Sequence, residues 1–105
     1  DAATYDPDVL QDLVICVEVF EHADNWRGIV ANAHNILTAG GTFIGTAAGV
    51  GRPPHSGRRE SKPDPDEYYC NVSDVDLWDA LESAGFVEIS VDVAGVDVRC
   101  VARKV

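Results

Sequence analysis

The sequence contains no methionine, only three cysteines, and fewer than half as many basic as acidic side chains. Each shortage excludes something. Eight Lys and Arg against eighteen Asp and Glu leave a net charge of −10. A surface of that sign repels phosphate backbones and anionic membranes, so neither nucleic acid nor a membrane is expected as a partner, whereas a small or cationic acceptor is. No apolar run approaches the ~20 residues needed to cross a bilayer. Neither a basic nor an apolar leader segment follows Asp1-Ala2-Ala3-Thr4, which makes a cytoplasmic location the expectation. A start at Asp1 reads as a fragment or a processed chain. Cys16, Cys70 and Cys100 are odd in number and include no C-x-x-C. They are expected to be reduced, with Cys16 and Cys100 in the core, rather than paired or bound to zinc.

What is present suits one small domain, or part of a larger one: 105 residues, 46% of them hydrophobic. Residues Asp12 to Val19 are apolar at their centre and rich in β-branched side chains, the pattern of a strand buried on both faces. From Asp24, a candidate N-cap, to Leu37, the side chains of Trp26, Ile29, Val30, Ala33 and Leu37 share one helical face, and Gly40-Gly41 is expected to stop that helix. Thr42 to Ala47 reads as a second strand, parallel to the first through a strand–helix–strand crossover. Residues Gly49 to Asp66 hold four of the five prolines and form a long loop, a kind of segment that is usually functional or disordered. Ser73 caps a second helix that carries Val75, Leu77, Trp78 and Leu81 and ends at Gly85. Two alternating strands follow, one with Val87, Ile89, Val91 and Val93 on one side, the other with Val96, Val98, Cys100 and Ala102, joined by a tight turn at Ala94-Gly95. Right-handed crossovers place both helices on one face of the sheet. The other face of the Ile15 strand must then be covered from outside this chain.

These segments resemble class I S-adenosylmethionine-dependent methyltransferases. Asp12 to His22, ending in Glu18-Val19-Phe20-Glu21-His22, is similar to the family's fourth strand and its E-V-[LF]-E-H turn. Asn35 to Phe43 resembles its L-K-P-G-G helix end and fifth strand, and Leu77-Trp78 to Ala84-Gly85-Phe86 its L-L-x-x-A-G-F helix. The closing hairpin is similar to its reversed last strand. The resemblance spans nearly the whole of residues 1–105, as the C-terminal portion of one methyltransferase domain. It implies a partial Rossmann-like α/β sheet: parallel strands, helices on one face and a C-terminal antiparallel hairpin. It also marks a gap. The family's glycine-rich turn and ribose-binding acid are absent from these residues, and Gly45, Gly49 and Gly51 follow the wrong strand to replace them. The chain alone is therefore expected to bind S-adenosylmethionine weakly or not at all.

For the residues present, the resemblance implies that Asp1 and Ala2 face the adenine, with Val17 and Glu18 beside the cofactor at the strand's end. The alternative for Asp1 is a solvated terminal aspartate. Glu18, Glu21 and His22 form E-x-x-E-H at the ligand edge of the sheet. In ubiquinone-pathway O-methyltransferases and small-RNA 3′-end methyltransferases this motif holds a divalent ion, in the latter with a histidine placed as His55 is here. Carboxylates and imidazole suit Mg²⁺, Mn²⁺ or Zn²⁺. The competing reading is that Glu21 and His22 cap the helix and shape the pocket. Tyr68 and Tyr69 line an acceptor pocket or anchor the loop. Arg52, Arg58, Arg59 and Lys62 steer an anionic acceptor or are simply solvated. His34 reads as a surface residue.

Transfer of a methyl from a sulfonium relies on proximity and alignment, with a base only where the acceptor must lose a proton. His22 is the favoured base, with Glu21, Glu18 and His55 the other candidates. The expected reaction is methyl transfer to an O or N atom of a small molecule by a domain completed by an N-terminal half. Against it stands a non-catalytic binding or assembly module that pairs through its open face, with that half or a second copy as partner. A dehydrogenase-like half-domain is disfavoured by the reversed hairpin.

Overall fold

The computed structural model describes all of residues 1–105. Strand β1 (Gln11–Val17) leads through a 3₁₀ turn (Phe20–His22) to helix α1 (Trp26–Ile36), which runs directly into β2 (Leu37–Ala48). After the long loop come α2 (Asp74–Ala84), β3 (Val87–Ala94) and β4 (Asp97–Arg103). The four strands lie in the order β1-β2-β4-β3. β1 and β2 are parallel, and β4 runs antiparallel to both of its neighbours. The expected α/β architecture is present, with the last strand inserted between β2 and β3.

Both helices pack on one face. Ile29, Val30 and Ala33 of α1 and Leu77, Ala80 and Leu81 of α2 close over Phe43, Val98, Cys100 and Ala102. Phe43 is the centre of this layer, its ring 6.3 Å from Phe20 and 5.6 Å from Phe86. On the opposite face Leu13, Ile15 and Val17 are 49%, 58% and 56% exposed. Farther across that face Arg99 pairs with Asp92, and Arg103 with Glu88. The open face is thus apolar along β1 and mixed along β3 and β4, where Val101 lies exposed between the two arginines. No helix is long and apolar enough to cross a membrane.

Local chemistry accounts for the boundaries. Ser73 Oγ accepts from the Asp76 N–H, and Gly85 leaves α2 at φ 101°, a left-handed value that glycine adopts without strain. Other boundaries differ from expectation. α1 starts behind Asn25, not Asp24, and Asn25 donates instead to Asp1 Oδ2 at 3.3 Å. Gly40-Gly41 does not stop α1: the helix ends at Ile36, and both glycines lie inside β2. The stop comes from Lys104, whose Nζ donates to the carbonyls of His34 and Leu37 at 2.9 and 3.0 Å and so satisfies the end of the helix. Gly40 is needed in β2 because its φ is +81° there. A Cβ on Gly41 would come within 2.9 Å of the Thr38 carbonyl. The hairpin turn is Gly95-Val96 rather than Ala94-Gly95, since Ala94 pairs with Asp97. Val75 and Trp78 lie outside the core, 71% and 44% exposed. His34 is half-buried rather than a surface residue, its ring edge-on to Phe86 at 5.0 Å.

Candidate functional site

Because β1 and β2 are parallel, their carboxyl ends share one edge of the sheet, where ligands of open α/β folds bind. The chain leaves β1 through Glu18, whose N–H donates to Thr46 O at 2.9 Å. Glu18 has φ 56°, a left-handed backbone that a non-glycine residue holds only under constraint. The turn sends Glu21 back under the sheet edge. Its side chain is fully buried, with Oε2 accepting from the Ala48 N–H at 3.2 Å. Oε1 is buried with no donor, as are Glu18 Oε2 and His55 Nδ1. Burial chiefly, and then the neighbouring Glu18 carboxylate, raise the Glu21 pKa against the backbone donors that lower it.

The loop after β2 brings His55 across this edge. His22 Nε2 and His55 Nε2 lie 3.2 Å apart, so one imidazole donates and the other accepts. His55 Nε2 is 3.8 Å from Glu21 Oε2. Ligand atoms of Glu21, His22 and His55 all lie within 4.8 Å of one another. Glu18 stands outside that cluster: its Oε1 accepts from Arg52 Nη1 at 3.1 Å, and Arg52 Nη1 also reaches Asp97 Oδ1 at 2.5 Å. Tyr69 presents its ring to both imidazoles, with centroids 5.5 Å from His22 and 5.1 Å from His55. Its hydroxyl donates to Asn71, whose amide in turn donates to the Arg52 carbonyl. Burial first, then His55, lowers the His22 pKa, so its ring is neutral near pH 7 and able to accept a proton.

Two imidazoles ligating one ion at about 2.0–2.1 Å in tetrahedral geometry place their nitrogens roughly 3.3 Å apart. The His22–His55 separation of 3.2 Å matches that spacing, and the rings would hold an ion once both Nε2 lone pairs turned from each other toward it. The Glu21 carboxylate lies beside them, its Oε2 3.8 Å from His55 Nε2. Two imidazoles and a carboxylate suit Zn²⁺, Mn²⁺ or Fe²⁺ better than Mg²⁺, which prefers oxygen.

The remaining site candidates lie elsewhere. Asp1 and Ala2 line an open hollow of about 440 Å³ at the free edge of β1, with Leu13, Ile15, Ile29 and Phe43 among its walls. The Asp1 carboxylate already accepts from the Ala3 N–H and from Asn25. Val17 is exposed on the open face. The three arginines of the loop are each paired with an acid: Arg58 is bound to Asp66, Arg59 to Asp64 and Arg52 to Glu18 and Asp97. Local acids cancel the anion-steering patch that their spacing suggested. The three cysteines are free, and burial pushes the thiols of Cys16 and Cys100 up to about 11. Composition had not marked Ser56, Glu67 or Asn71 as parts of the site, because their roles depend on loop closure.

No protein-family model matches the chain, and no curated protein matches it. Solved structures do. PigF, solved with SAH, is 18% identical with a TM-score of 0.71 over 100% of this chain and 34% of its own. Human N-acetylserotonin methyltransferase, in complex with SAM, is 18% identical with a TM-score of 0.66 over 99% of this chain and 32% of its own. A SAM-dependent methyltransferase of Thermotoga maritima is 20% identical with a TM-score of 0.70 over 99% of this chain and 61% of its own. The chain therefore shares the α/β fold of part of these structures, and it spans 32% to 61% of their length.

Proposed function

We propose that these residues form the acceptor-side half of a SAM-dependent methyltransferase that acts on an O or N atom of a small molecule. The observation that carries the reading is the convergence of Glu21, His22 and His55 at the carboxyl edge of the parallel strands, in a fold shared with structures solved with SAM or SAH. S-adenosylmethionine, when bound, supplies a methyl carbon already activated by a sulfonium. Asp1, Ala2, Val17 and Glu18 are the residues here that would contact it. Asp1 keeps acceptor capacity beyond its two present bonds, since a carboxylate offers about four lone-pair sites.

The chain's own residues position the acceptor and take its proton. His22, neutral and only half-buried, is the base. Glu21 is too deeply buried to touch an acceptor, and its carboxylate acts through the imidazoles by stabilising the positive charge that a transferred proton creates. Where a divalent ion is present, His22, His55 and Glu21 would hold it, and it would orient and acidify an acceptor hydroxyl. The apolar face of β1 is assigned to a covering N-terminal half, with a second copy as the alternative partner. That face also favours the competing reading of a non-catalytic assembly module.

The test is SAM binding and transfer. Calorimetry on the chain alone should show weak binding or none. A protein in which a strand and a glycine-rich turn precede Asp1 should bind SAM in the micromolar range and methylate phenol, catechol or amine acceptors. It should lose transfer, and keep SAM binding, in His22→Ala. A completed protein that binds no SAM would overturn the reading in favour of the module.

A further inference from the structure

Glu67 lies outside the proposed mechanism, yet its carboxylate gathers more donors than any other in the loop between β2 and α2. Its side chain is 8% exposed. Ser56 Oγ lies 2.9 and 3.0 Å from its two oxygens, and the N–H groups of Gly57 and Asp64 donate to it at 3.1 and 2.6 Å. Ser56 Oγ in turn accepts from the Arg58 N–H at 3.0 Å, and Ser56 N–H donates to Ser61 O at 2.7 Å. One carboxylate thus ties residues 56, 57 and 64 together. Hydrogen bonds to an ionised acceptor are the stronger kind, so the tie is stiff.

The neighbours of these tied residues are the imidazoles. His55 directly precedes Ser56. Gly57 rests on the His22 ring, where an added Cβ would lie 3.2 Å from Nδ1. Tyr69, just beyond Glu67, closes on both rings from another side. Without the tie, His55 would sit on a proline-rich loop with its rotamers free, and ordering it would oppose the contact with His22.

We propose that Glu67 is the positioning residue of the His22–His55 pair, holding Ser56 and Gly57 so that His55 Nε2 stays against His22 Nε2. The proposal rests on the reading of Glu21, His22 and His55 as the acceptor-side site, but its test needs neither cofactor nor acceptor. Nitrogen-15 NMR of the imidazoles in the wild-type protein should show complementary tautomers at His22 and His55 and a ring-to-ring cross-peak. Glu67→Ala should lose the cross-peak and shift both rings to solvent-averaged tautomers. His34, packed on Phe86, should not change and serves as the internal control. Glu67→Gln keeps the volume and one acceptor oxygen and should restore part of the signal. Should Glu67→Ala fail to fold, Glu67→Gln and Ser56→Ala decide, each expected to weaken the cross-peak with the His34 signals intact. An unchanged cross-peak in folded Glu67→Ala, or in both of the milder variants, overturns the proposal, as does its absence from the wild type. Failure of methyl transfer alone would remove the functional reading and leave this result standing.

Discussion

Replacing Glu21 with glutamine should stabilise the protein at neutral pH even though it removes a residue of the proposed site. Glu21 is fully buried and has one oxygen bonded to the Ala48 N–H and one with no donor. Glu18, within hydrogen-bonding reach, also buries an oxygen without a donor. Each of these neighbouring carboxylates therefore keeps one buried acceptor unpaired. Glutamine keeps the volume and the acceptor toward Ala48, and it turns an N–H₂ donor toward Glu18. A buried acceptor without a partner costs about 1–3 kcal/mol, so the gain should be of that order. For a domain of about this size each kcal/mol moves the melting temperature by roughly 4–8 °C. The pH dependence has a definite sign. The folded-state pKa of Glu21 is raised, so the folded protein binds this proton more readily than the unfolded chain. The associated stability is complete below the ordinary glutamate value of 4.5 and is lost as pH rises through the raised value. At low pH the protonated Glu21 supplies its own donor to Glu18, so variant and wild type should melt together near about pH 4 and diverge as pH rises. Scanning calorimetry across that range reads the difference, with the other carboxylates cancelling. A variant less stable than wild type at neutral pH, or a difference independent of pH, would refute the reasoning.

Four further outcomes can be checked. Phe43→Ala empties the centre of the core and should lower stability by about 3–5 kcal/mol in urea denaturation. Ser73→Ala removes the cap of α2 and should lower it by about 1 kcal/mol, read in the same assay. Gly85→Ala forces a side chain into φ 101° and within 3.3 Å of the His34 ring; a loss of about 1–3 kcal/mol and a shift of the His34 NMR signals are expected. Excess Zn²⁺ or Mn²⁺ should raise the melting temperature of the wild type and leave that of His55→Ala unchanged, since an ion that binds only the folded state stabilises it.

Features governed by neighbours in sequence were legible from it. β1 and β2 announced themselves by β-branched apolar runs, α2 by Ser73 and Gly85, and β4 by strict alternation, whereas in β3 a bulge at Glu88, φ 49°, turns Val87 to the open face away from Ile89 and Val91. The stop of α1 was not legible, because the group that satisfies its carbonyls is Lys104, 67 and 70 residues distant. Gly40-Gly41 looked like a helix end for the same reason: a glycine serves equally in a C-cap and in an irregular strand, and only the Lys104 contacts distinguish them. At the site, Glu21, His22 and His55 could be marked because carboxylate and imidazole at a strand's end carry chemistry by type. Arg52 could not be placed, since its spacing with Arg58 and Arg59 suggested one basic patch. Each of these arginines instead finds its own acid, and that depends on how the loop folds back.

The insertion of β4 between β2 and β3 also governs how the chain can fold. Thr42 pairs with Arg103 across most of the sequence, whereas β3 and β4 pair through a short turn. Within residues 1–105, β1 and β2 can pair before β4 exists, whereas β3 has no neighbour in the sheet until β4 joins it. The β3–β4 hairpin forms locally and must then dock as a unit on β2, with the closure of a long loop opposing it. That docking step is where folding should be slow, and where the apolar edge of β2 stays open to other chains while it waits.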